Sequence, residues 1–142
     1  MMKKILSLLL TSLLMVMLIG CSGNDNSQGA QGGSFELALI TDTGTIDDKS
    51  FNQGAWEGVE AYAAENNITH KFYQPAEKTS QAYLETISLA VEGGAKLVVC
   101  PGYLFSEAVY EAQGLYPDTA FIILDSTPQN VNGEEKINDN TY

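Results

Sequence analysis

Arginine is absent from the 142-residue chain. The seven basic residues are all lysines, set against 18 aspartates and glutamates, for a formal net charge of −11. Lys3 and Lys4 stand in the first 21 residues, so the remaining 121 carry five lysines and 18 carboxylates, net −13. A surface of that sign repels phosphate backbones and puts nucleic acid last among partners. Two cysteines, Cys21 and Cys100, do not make a disulfide framework. The phosphate loop Gly-x-x-x-x-Gly-Lys-Ser/Thr is missing, as are Gly-x-Gly-x-x-Gly, Gly-x-Ser-x-Gly and His-Glu-x-x-His. The one histidine, His70, falls in an expected edge strand and reads as a surface residue. Asp42, Asp47 and Asp48 lack the alternating acidic positions, central glycine and closing glutamate of a calcium loop. Carboxylates just ahead of a helix more often cap it. The expectation is a protein without catalytic group, metal or cofactor, and not an enzyme.

What is present begins with the leader. Met1-Met2-Lys3-Lys4 precedes an almost unbroken apolar run from Ile5 to Ile19, then Gly20 and Cys21. A positive start, an apolar stretch and a small residue before the cut describe an export signal over residues 1–20. The run is short for a transmembrane helix, which needs about 20 apolar residues. Leu18-Ile19-Gly20-Cys21 resembles the bacterial lipobox, and the resemblance implies a diacylglycerol on the Cys21 sulfur and cleavage just before it. Acylation of this kind holds a protein to a membrane once two or more chains are buried. Residues 22–34 contain a single apolar residue, Ala30, and read as a flexible tether reaching about 20 Å at 5–6 Å × √n. Together these segments predict a folded part displayed on the extracytoplasmic face of a cell membrane.

From Phe35 the pattern alternates between short apolar runs and longer amphipathic stretches. Strands are expected at 35–41, 68–74, 96–100 and 119–125, and helices at 49–65, 79–92 and 104–115. In the first helix Phe51, Ala55, Val59 and Tyr62 recur on one face. The order β-α-β-α-β-α-β predicts an α/β fold, a parallel sheet with helices on both faces. Its spatial order is 2-1-3-4, with strand 2 at an edge because His70 and Lys71 interrupt its apolar run. Cys100, ending a buried strand, is expected as a small apolar filler. Ligands of such sheets sit beyond the carboxyl ends of the strands where the order reverses. Attention therefore falls on the residues after Ile40, Cys100 and Leu124.

The first of these loops runs from Thr41 through Asp42, Gly44, Asp47, Asp48 and Ser50 into Phe51-Asn52-Gln53. A phenylalanine beside hydrogen-bonding side chains suits a flat ligand with polar edges. The same residues also fit a purely structural role, with Phe51 anchoring the helix, Asp47 or Asp48 capping it and Gly44 making a turn. Asp-Asp-Lys-Ser-Phe-Asn-Gln at 47–53, followed by Ala-Trp-Glu-Gly at 55–58, resembles the opening signature of the basic membrane protein family of bacterial lipoproteins. The likeness continues through Cys100-Pro-Gly-Tyr-Leu-Phe105 and Phe121-Ile-Ile-Leu-Asp125, and covers residues 35–142. That family includes the purine-nucleoside-binding components of ABC importers, with a periplasmic-binding-protein fold of two α/β lobes. The resemblance implies that Phe51 stacks on the base, that Asp42, Ser50, Asn52 and Asp125 meet its polar edges, and that Tyr103 and Phe105 line the cleft. It further implies a purine nucleoside as ligand and ABC permease subunits as partners. The alternative is a surface or signalling lipoprotein acting through protein–protein contacts, since some relatives serve as regulators or antigens.

Family members carry a second lobe, so residues 35–128 are expected as one ligand-binding lobe and 129–142 as a polar tail, truncated before the next strand. That tail is too polar, on this reading, to pair with strand 4. An unpaired edge along Phe121-Ile-Ile-Leu124 then predicts marginal stability or association through strand 4.

Overall fold

The structure, a computed structural model, describes residues 36–142. The expected signal segment, Cys21, the expected tether and Phe35 lie outside the described residues. Four strands, β1 (Leu37–Ile40), β2 (His70–Tyr73), β3 (Leu97–Pro101) and β4 (Ala120–Leu124), alternate with three helices, α1 (Phe51–Asn66), α2 (Ser80–Glu92) and α3 (Ser106–Leu115). A 3-10 turn, η1 (Tyr103–Phe105), leads into α3. The sheet is parallel throughout, in the order β2-β1-β3-β4. Leu39 is in register with Phe72 on one side and Val99 on the other, and Cys100 with Ile123. This is the predicted topology.

Every residue of β1 is buried, as expected for a strand covered on both faces. Ala38, Ile40, Val98, Cys100, Phe121 and Ile123 face α2 and α3, and with Tyr83, Ile87, Phe105 and Val109 form the larger core. The Cys100 thiol is free and buried there, and that burial pushes its pKa far up. Leu37, Leu39 and Val99 form the smaller core on the other face, against Val59 and Ala63 of α1. Here one helix does the covering. Leu97, Ile122 and Leu124 stay half-buried beside an open apolar groove of about 360 Å3, lined also by Ala55 and Tyr62.

The helix ends follow local chemistry. Thr79 caps α2 by accepting from the Ala82 amide at 3.1 Å, and Gly94 takes φ +103° just past its end. Asn67 ends α1 in the left-handed region, its amide donating to Ala63 O. The inward face of α1 differs from the predicted one. Val59 and Ala63 are buried, whereas Phe51 is 47% and Tyr62 51% exposed. Small side chains let α1 lie close over β1, which leaves the two aromatic rings at the margins, one above the strand ends and one over the groove.

The tail also differs from expectation. Phe121 N donates to Asn140 O at 2.8 Å, Tyr142 N to Phe121 O at 3.0 Å and Ile123 N to Tyr142 O at 3.0 Å, a parallel pairing along the β4 edge. Polarity is what secures it. The Asn140 side-chain amide points at the carbonyls of Gln113, Tyr116 and Thr119 at 2.9–3.3 Å. Gln113, buried in α3, donates to Lys136 O and accepts from Asn138 N, both at 2.9 Å. Counting bulky apolar residues overlooks this, because side-chain amides satisfy backbone groups that no apolar residue can. Among the described residues no helix is long and apolar enough to cross a membrane.

Candidate ligand site

The loop after β1 is organised by one side chain. Asn52, 3% exposed in the first turn of α1, accepts from Asp42 N at 3.2 Å. Its Nδ2 donates to Asp42 Oδ1 at 2.7 Å and to Asp48 Oδ2 at 2.9 Å. A neutral donor thus stands between two carboxylates and fixes both. Asp42 Oδ1 also takes the Gly44 amide at 2.7 Å. A Cβ on Gly44 would stand 2.5 Å from Asn52 Nδ2 and 2.8 Å from Asp48 Oδ2, so a side chain there would displace this hydrogen-bonded pair.

Of the two aspartates that the sequence offers as caps, Asp48 takes the role. Its Oδ1 accepts from Ser50 N at 2.8 Å and Gln53 N at 3.2 Å, while Ser50, at the N-cap position, makes no side-chain cap. The Asn52 hydrogen bond, more than these amides and against a smaller opposing effect of desolvation, holds the Asp48 carboxyl below its ordinary value. Asp47 instead accepts from the Thr45 hydroxyl.

The loops after β3 and β4 close on the same end of the sheet. Gly102 adopts φ +109°, strained for any L side chain, and its amide donates to Leu124 O at 2.9 Å. The Phe51 ring lies against this turn, 3.8 and 3.9 Å from where a Cβ on Gly102 would stand. Ser106, buried, bonds Tyr103 O at 2.8 Å and the Ser126 hydroxyl at 2.6 Å, tying η1 to the segment after β4. Asp125 is exposed at the end of β4 with φ +58°, an uncommon conformation for a residue other than glycine.

The strand ends therefore bring together Phe51, Asp42, Ser50 and Tyr103, with Asp125 on the adjoining loop. Phe51, against the Gly102 turn, and Tyr103 (70% exposed), which follows that turn, both leave aromatic surface open. Two expectations change. Asn52 is buried and acts by holding Asp42, so it does not itself present a polar edge. Phe105 has no exposed surface; its ring packs on Tyr83 with centroids 4.6 Å apart, which removes it from the cleft lining. The tight 3-10 turn sends residues two apart in different directions, and only Tyr103 remains outside. Tyr83 occupies an inward position of α2, as the helical pattern of residues 79–92 predicts, and nothing in the sequence singles out its phenol from the apolar residues beside it. Among the described residues no group of three or more His, Cys, Asp or Glu side chains could hold a metal ion.

Residues 35–140 match the family model described as ABC transporter substrate-binding protein PnrA-like. The chain belongs to this family. A relative from Listeria innocua, named CD4+ T-cell-stimulating antigen, is 32% identical over 127 residues, covering 86% of this chain and 36% of that protein. The ABC transporter nucleoside-binding protein BmpA of Lactococcus lactis subsp. cremoris is 30% identical over 115 residues, 77% of this chain and 32% of that protein. A solute-binding protein of an ABC transporter system from Aeropyrum pernix K1 superposes with a TM-score of 0.64 at 22% identity, over 75% of this chain and 27% of that one. The fold is thus that of the PnrA-like and other periplasmic-binding-protein-like solute-binding proteins. The chain spans about a third of the length of the curated relatives it matches.

Proposed function

We infer that the chain is a ligand-binding lobe of a PnrA-like lipoprotein that captures purine nucleosides outside the membrane for ABC-type import. The observation that carries this reading is the half-exposed Phe51 ring lying on the Gly102 turn, beside an Asp42 carboxylate immobilised by Asn52. An aromatic face suits a flat heterocycle, and a fixed acceptor near it suits a hydroxyl or N–H elsewhere on the same ligand. Ser50, Tyr103 and Asp125 are exposed around the same rim and complete the proposed contacts. The Lactococcus relative is a protein named for nucleoside binding, which supports the same ligand class.

Residues 1–20 serve as signal peptide, Cys21 carries the lipid and 22–34 tether the lobe on the extracytoplasmic face, where permease subunits are the partners. A Cys21→Ser protein is expected to lose palmitate label and leave the membrane fraction.

Binding is tested by calorimetric titration of the detergent-solubilised protein with inosine, guanosine and adenosine, with ribose and amino acids as controls. Nucleosides alone should bind, and Phe51→Ala should weaken them at least tenfold. Binding left intact by Phe51→Ala combined with Asp125→Ala would reject the reading.

A further inference from the structure

Tyr83 is 1% exposed, yet its hydroxyl has no hydrogen-bond partner. A buried donor left unmade is costly, and phenylalanine would fill the same space without that cost. The position of the ring suggests what the hydroxyl is for. Tyr83 lies in the first turns of α2, which packs against both β1 and η1, the two elements whose ends carry Asp42 and Tyr103. Its ring is braced by Phe105, the inward residue of η1, at 4.6 Å and 44°. Asp42 and Tyr103 are also the ionisable groups that act on the phenol. Together with burial, the largest effect, they raise its pKa, so it stays a neutral donor.

Asp42 places one carboxylate oxygen, Oδ1, against the Gly44 amide and the Asn52 side chain. A carboxylate wants a donor and a phenol wants an acceptor. A ligand edge that both donates and accepts answers both, and an alcohol does so through a single oxygen.

We propose that the Tyr83 hydroxyl is the floor of the ligand site, unpaired in the free protein and hydrogen-bonded in the complex to a sugar hydroxyl that in turn donates to Asp42. The inference rests on the nucleoside reading and deepens it. Tyr83 and Asp42 select the sugar, while Phe51 takes the base. The hydroxyl has no free surface beforehand, so the bond requires the residues packed around Tyr83, Phe105 among them, to shift as the ligand enters.

The test compares wild type and Tyr83→Phe by titration with a ribonucleoside and its 2′-, 3′- and 5′-deoxy analogues, and by thermal unfolding of the free proteins. Tyr83→Phe should leave the free protein as stable as wild type or more so, since it deletes only an unpaired group. It should weaken the ribonucleoside about tenfold, the size of one hydrogen bond. For one deoxy analogue the two proteins should bind alike, which identifies the hydroxyl. Equal loss on every analogue, no loss on any, or a destabilised free protein would each overturn the proposal while leaving nucleoside binding standing. A wild type silent to all nucleosides overturns both readings together.

Discussion

At the scale of single residues, the site depends on an uncharged side chain more than on a charged one. Asn52 separates the carboxylates of Asp42 and Asp48 and bonds both. Replacing it with alanine leaves two acceptors facing a void, and stability should fall by about 1–3 kcal/mol. Asn52→Asp should be worse at pH 7, because three carboxylates then meet, and its deficit should shrink toward pH 4 as they protonate. Urea melts across that range read both effects. Asp48 gives a pH dependence of defined sign. Its folded pKa lies below the ordinary 3.8, so its stabilising effect is present above that value and is lost as pH falls through the folded pKa. An Asp48→Asn protein should show a flatter acid limb than wild type in the same melts. The sequence made the place of the loop holding Asp42, the capping Asp48 and Phe51 legible, because a polar loop at a strand's carboxyl end invites scrutiny. It did not reveal that the amide of Asn52 turns inward, since both of its bonding ends find partners only after the loop folds back over ten residues.

Among the elements, the strands were readable from their apolar runs, while the joints between them were not. The stretch after Cys100 has helical periodicity from Leu104 onward, yet a 3-10 turn precedes α3 and reverses the fates of Tyr103 and Phe105. Periodicity cannot register a change of pitch over three residues. The β4 edge teaches the same lesson. A polar tail looks unable to pair, yet Asn140 and Gln113 clamp it. An Asn140→Ala change removes the contacts to three carbonyls and should free the tail. Amide hydrogen exchange should then show lost protection at Phe121 and Ile123, which donate to residues 140 and 142, with exchange in β1 unchanged. Protection retained at both would show that the backbone pairing holds without the clamp.

For the whole molecule, the two faces of the sheet are unequal. Two helices cover one, and a single helix covers the other, leaving Leu97, Val99, Ile122 and Leu124 along the groove. Association is therefore expected through this face and not through the β4 edge, which the tail occupies. Ile122 is half-buried in mid-strand. Ile122→Lys should lower the weight-average sedimentation coefficient at high concentration and shift the urea midpoint by no more than about 1 kcal/mol equivalent. An unchanged concentration dependence would refute the groove as the contact.

The buried thiol of Cys100 has a consequence in time. It sits in a central strand, with no exposed surface and its ionisation suppressed by burial. Only the thiolate attacks an aromatic disulfide reagent, so the folded protein is inert to it. In a Cys21→Ser background the released chromophore then counts openings of the sheet, one sulfur at a time. When closing outpaces attack, the labelling rate scales with the open population. On the proposed nucleoside reading, a bound nucleoside should slow this clock by the factor 1 + [L]/Kd. A single cysteine thus converts affinity into a rate measured with a stopwatch and a lamp, and a rate indifferent to saturating nucleoside would mean that β3 opens without releasing the ligand.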